Sequence, residues 1–154
     1  MVGDRVLGVA AGQGLLAQGA LPPSVAVLEA RLSAGCEARH AVHAQLTGTA
    51  WGGSGPAFDA VLGGTPVGDP STYEPVRVLV PDRVRAVAAL LDGLPPEELA
   101  GRFAPAALRE AEVYPDVWDR QDVLTTFVLP AYEALRGFYA EAAAAGDAVL
   151  VQLR

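Results

Sequence analysis

Cys36, His40 and His43 are the residues whose types and spacing come closest to a chemical device. On a helix turning about 100° per residue, His40 lies about 40° to one side of Cys36 and His43 about 20° to the other, so the three share a face. A thiolate with two imidazoles suits zinc or copper. A closed site requires a fourth ligand, and the chain holds no further Cys or His. Glu37, about 100° from Cys36, is awkwardly placed to supply it. The expectation is therefore no metal and no cofactor. Cys36 packs as a small apolar residue, and His40 and His43 serve as polar lining of the fold or of a pocket.

Tyr73, Arg77, Tyr114 and Trp118 lie in segments rich in Pro and Gly, the kind of segment that displays binding residues on a rigid scaffold. Aromatic rings with polar tips around one guanidinium suit a pocket for an anionic or planar ligand. With His40, His43 and Asp119 they are the candidate pocket residues. Arg77 is predicted to be at least half buried. Its expected partner is Asp119, Asp116 or a backbone carbonyl near Trp118, because a covered strand guanidinium must find an acceptor. Asp116, Asp119 and Asp122 also invite a carboxylate metal or acid–base reading. A helix-terminal role is simpler: Asp119 caps a long helix, and Asp122 sits in its first turn, where the dipole favours negative charge.

Other motifs fail on their surroundings. Gly12-x-Gly14-x-x-Ala17 follows an apolar run as a dinucleotide-binding turn does, but Pro22-Pro23 cuts short the helix that such a motif must open. Gly53-Ser54-Gly55 is followed by Pro56 where a nucleophile elbow needs Gly. The chain has no Lys, which removes the P-loop, the pyridoxal Schiff base and the kinase lysine. A single Cys excludes an internal disulfide and a CxxC pair. Eleven scattered arginines face 18 acids, for a net charge of −7. That balance provides no concentrated positive patch for nucleic acid or an anionic membrane. No window reaches the roughly 18 uninterrupted apolar residues of a spanning helix. Alanine fills 29 positions while Lys, Asn and Ile are absent, a bias of GC-rich codons rather than of function. Val6 to Ala20 is apolar, but Asp4 beside Arg5 and Gln13 within the run depart from a secretory signal. A cytoplasmic location is expected.

The elements that must position these residues fit one domain spanning 1–154. A short strand is predicted from Asp4 to Ala11. Ser24 caps a helix carrying Val25, Leu28 and Leu32 at helical spacing, and a second helix runs from Cys36 to Leu46 and stops at Gly48. Trp51 to Pro56 reads as a flexible loop, and Val61 to Pro75 as an irregular connection. Val76 to Val80 is a strand. Pro81 starts a helix with Val84, Val87, Leu91 and Leu94 on one stripe, and Pro95-Pro96 and Pro105 restart the chain as short helices. Val113 to Asp119 is extended. A long helix follows from about Asp119 to Ala145, kinked by Pro130 and ended by Gly146, and Val149 to Leu153 is a strand. The class is α+β, mostly helical with a small sheet.

Residues 37–48 (EARHAVHAQLTG), 61–69 (VLGGTPVGD), 73–79 (YEPVRVL) and 113–119 (VYPDVWD), with Phe138-Tyr139 and Gly146-Asp147, resemble the YfbM-like family of uncharacterised bacterial proteins. The resemblance covers roughly residues 37 to 154. It implies a compact α+β bacterial protein of the cytosol, with no established activity. Two positions depart from the family pattern: Arg39 stands where an aromatic precedes the first histidine, and Val80 where a Thr would cap the Pro81 helix. The leading functional expectation is a non-catalytic domain that binds a small ligand or a protein partner. The alternatives are a small metal-dependent enzyme using Cys36, His40 and His43, and a toxin-immunity-like interaction protein suggested by size and acidity.

Overall fold

The computed structural model describes residues 25–28, 35–69 and 76–152. Helix α1, Gly35–Thr47, buries Ala38, Ala41, Val42 and Leu46, the spacing of one apolar stripe. It ends where predicted, at Gly48, whose φ of 78° is the left-handed conformation that terminates helices. Helix α2, Gly55–Asp59, leaves the loop with Pro56 in its first turn. The segment expected to be an irregular connection contains strand β2, Thr65–Val67, paired antiparallel with β3, Val76–Leu79.

Proline sets the starts of three further helices: α3, Pro81–Asp92, α4, Pro96–Gly101, and α5, Pro105–Glu110. A first-turn position suits proline because the missing N–H has no intrahelical acceptor there. The predicted stripe of α3 holds, with Val84, Val87, Leu91 and Leu94 all buried. Helix α6, Leu129–Ala145, is preceded by a π-helical turn over Leu124–Val128 and closes on Gly146. The expected long helix from Asp119 is corrected at its start. Asp119 caps nothing, because its carboxylate accepts from Arg109 Nη1 at 2.7 Å, and the Asp122 carbonyl receives the Thr126 N–H at 2.9 Å. The break expected at Pro130 takes the form of the π turn. There the Leu129 N–H reaches back to the Leu124 carbonyl, which widens the helix where the proline ring would clash with a regular turn.

The described strands form one mixed sheet of order β1-β4-β3-β2. β4, Ala148–Val151, runs parallel to β1, Val25–Leu28, and antiparallel to β3. The helix predicted over Val25 and Leu28 is therefore a strand. A stretch of four residues fits either period, and the ladder to β4 from Val25↔Ala148 to Leu28↔Val151 decides the matter. The strand expected at Asp4 to Ala11, and with it Ser24 and Leu32, lies outside the described residues. All four residues of β4 are buried. Helices α3 and α6 pack together, and Val84, Val87, Leu91, Tyr132, Leu135 and Tyr139 join Val149 and Val151 in one core. Two polar groups of α6 close the C-terminal end of α3. The Tyr132 hydroxyl donates to the Leu94 carbonyl at 2.7 Å, and Arg136 Nε to the Leu91 carbonyl at 2.9 Å. The arrangement is α+β. Among the described residues no helix is long and apolar enough to cross a membrane.

Candidate functional site

The turn after α1 is built by two threonines. Thr49 Oγ1 accepts from the Gly52 N–H at 2.9 Å and the Trp51 N–H at 3.3 Å, and Thr47 Oγ1 accepts from the Thr49 N–H at 3.3 Å. Such hydroxyl–backbone bonds hold a turn without regular secondary structure. The segment expected to be a flexible loop is thus tied down, and His43 fixes its far side. The imidazole is fully buried, lies edge-on to Phe58, and bonds the Gly52 carbonyl through Nε2 at 2.9 Å. A carbonyl only accepts, so Nε2 carries the proton and Nδ1 keeps its lone pair. Nδ1 is buried with no hydrogen-bond partner among the described residues.

Burial pushes the His43 pKa below its ordinary value, against the raising effect of the Gly52 bond, and the neighbouring His40 lowers it further. The folded state therefore binds fewer protons than the unfolded one as pH falls through the unfolded value of about 6.5. The stabilisation is complete above that value and is lost between it and the lower folded pKa. Melting curves at pH 7.5 and pH 5.5 should show a drop in Tm that is smaller in His43→Gln. Equal drops would remove His43 as the cause.

On the outer face of α1 the His40 ring lies 4.9 Å from the ring of Trp51. The Trp51 indole is 56% exposed, and its Nε1 donates to the Ala111 carbonyl at 3.2 Å. An exposed aromatic is thus held from two sides. Beside it opens a cleft of about 270 Å³ between the end of α1 and α5, with walls that include Ala44, Gln45, Thr49, Arg102, Leu108 and Ala111. Arg102 is answered by Glu98 at 3.0 Å. Gln45 is 6% exposed, and neither its Oε1 nor its Nε2 has a hydrogen-bond partner among the described residues.

The remaining candidates disperse. Trp118 is 1% exposed in the core and donates its Nε1–H to the Val113 carbonyl at 2.7 Å. Tyr114, on the cis Tyr114-Pro115 bond, is 74% exposed. The expected pairing of Arg77 with Asp119 or Asp116 is corrected. Arg109 holds Asp119, while Arg77, half-buried on β3, points Nη1 at the Gly64 carbonyl at 3.5 Å, across the β2 turn. Tyr73 lies outside the described residues, as does the side chain of Cys36. Among the described residues no group of three His, Cys, Asp or Glu side chains is placed to hold a metal ion.

Sequence reasoning passed over Gln45 and Trp51. Gln45 carried a signal: it falls on the buried stripe with Ala38, Ala41, Val42 and Leu46, where a polar residue is out of place. Arg39 carries the same signal and is fully buried. Its charge bears on Tyr139, whose hydroxyl, pushed up in pKa by burial, donates to the Ala60 carbonyl at 3.1 Å.

A mixed sheet under a helical cover, with a cleft between α1 and α5, gives the described residues an α+β arrangement. The chain belongs to the family described as Domain of unknown function (DUF1877), whose model matches residues 37–152. This is the YfbM-like family of the sequence resemblance. No curated protein and no solved structure matches it.

Proposed function

We propose that the chain is a single non-catalytic binding domain that takes a small ligand in the cleft between α1 and α5, with Trp51 as its aromatic lip. The observation that carries this reading is the Trp51 side chain. It is largely exposed, yet set by the His40 ring and the Ala111 carbonyl. An exposed aromatic with no fixed neighbour is ordinary, whereas one oriented in advance gives up little freedom when a ligand stacks on it. The cleft beside it has apolar walls from alanines and few polar groups, the usual make-up of a ligand site. His40 acts here as a positioning residue for Trp51.

The chain has two tryptophans, so its amide spectrum carries two indole signals, assignable with Trp51→Phe. Titration with small aromatic fragments should move the Trp51 signal and leave that of the buried Trp118 in place. Fragments that move neither signal, or both equally, would overturn the proposal.

A further inference from the structure

We infer that the cleft ligand carries a neutral amide group, which pairs with the side chain of Gln45; this rests on the binding role proposed for the cleft. Gln45 is a wall residue of the cleft. Its side-chain amide has one acceptor and two donors, and both of its polar atoms are buried without a hydrogen-bond partner among the described residues. A buried, unsatisfied amide loses its hydration and gains nothing in exchange. The fold keeps it nonetheless, on the buried side of α1 beside Ala38, Ala41, Val42 and Leu46.

The chemistry of the missing partner follows from that inventory. An adjacent donor and acceptor are satisfied together by a group that presents an acceptor and a donor side by side, as a primary carboxamide or a lactam does. A carboxylate offers acceptors only, and would face Oε1 with a second acceptor. The charge at the cleft points the same way. Arg102, the one charged wall residue among the described residues, is already paired with Glu98, so a neutral group is favoured over an anion. Both amide atoms lie just beneath the cleft surface, so the side chain must re-orient about its rotatable bonds, the broad terminal torsion among them, to present them to the ligand. The apolar body of the ligand then lies against Ala44 and Leu108.

The experiment compares benzamide with benzoate and toluene, in wild type and in Gln45→Met, by the shifts of the Trp51 indole and the Gln45 side-chain NH₂ signals. Benzamide should bind at least tenfold more tightly than benzoate and should move the Gln45 signals. Gln45→Met should raise Tm, since it removes an unsatisfied amide, and should abolish the preference while toluene still binds. Equal binding of the three compounds to wild type, or a preference that survives in Gln45→Met, would overturn the inference and leave the binding role standing. A lower Tm for Gln45→Met with no preference in wild type would mean that Gln45 is satisfied by an internal water, which also overturns it. If none of the compounds, nor any aromatic fragment, moves the Trp51 signal, the binding role itself fails.

Discussion

Trp118→Ala is expected to destabilise the domain by about 3–5 kcal/mol, the range for deleting a buried Trp or Phe. For a domain of this size that is a fall in Tm of roughly 10 °C, at about 2–4 °C per kcal/mol. The ring is almost wholly buried beside Phe127, 6.3 Å between centroids. Its Nε1–H is also the bond that ties the stretch between α5 and the π turn to itself, through the Val113 carbonyl at 2.7 Å. Around that bond the segment is held by short local contacts, such as the Val117 N–H to the Pro115 carbonyl at 2.8 Å, and at its two ends by Trp51 on Ala111 and Arg109 on Asp119. Trp118→Phe keeps most of the volume but orphans the carbonyl, so its loss should be intermediate, about 1–3 kcal/mol. Thermal denaturation of the two variants orders them. An alanine variant that melts with wild type would show that Trp118 is not a core residue and would return it to the list of ligand contacts.

Gly63→Ala should be nearly as damaging although it adds one methyl group. A Cβ at position 63 would stand 2.1 Å from Asp59 Oδ1 and 2.3 Å from the Asp59 Cα. The carboxylate is already engaged, since Arg83 Nε donates to Oδ2 at 2.9 Å and Nη2 to Oδ1. The Cα belongs to the end of α2 and cannot swing aside. Overpacking costs about 1–3 kcal/mol, and more when backbone must move; the upper end is expected here, with the Asp59–Arg83 pair loosened as well. Gly101→Ala is the control, because a Cβ there meets nothing within 4 Å and alanine is the better helix former. Urea denaturation of the pair should show a lower midpoint for Gly63→Ala and an unchanged or higher one for Gly101→Ala. Equal midpoints would dismiss the close approach of the 61–64 turn to α2.

Local chemistry made much of this fold legible. Pro81, Pro96 and Pro105 mark helix starts, and Gly48 and Gly146 mark helix ends, because those signals act within one turn of chain. The misreadings concern pairings that no local signal carries. Val25 and Leu28 look helical in isolation, and only the distant partner β4 makes them a strand. Likewise the partner of Asp119 is set by the packing of α5, which places Arg109 against it. Of the candidate site, His40 and His43 were legible as a shared helix face, yet they diverge in role: one ring supports Trp51 and the other pins Gly52. Trp51 was hidden in a Gly- and Ser-rich stretch whose order comes from Thr47 and Thr49, small side chains just before it.

The position of β4 governs when β1 can join the other described strands. Residues 148–151 form the strand that joins β1 to β3, so a chain emerging from the ribosome holds β1 without its neighbour until more than a hundred further residues have been made. Closing so long a loop is entropically slow. Helix α1, the Pro-initiated helices and the local β2–β3 pair can form early, but joining β1 to β3 waits for β4. During that interval β1 lacks the strand it pairs with among the described residues, and a strand edge left open is a template for pairing with another chain. The two sides of the described sheet are thus made separately and joined only when β4 enters between them.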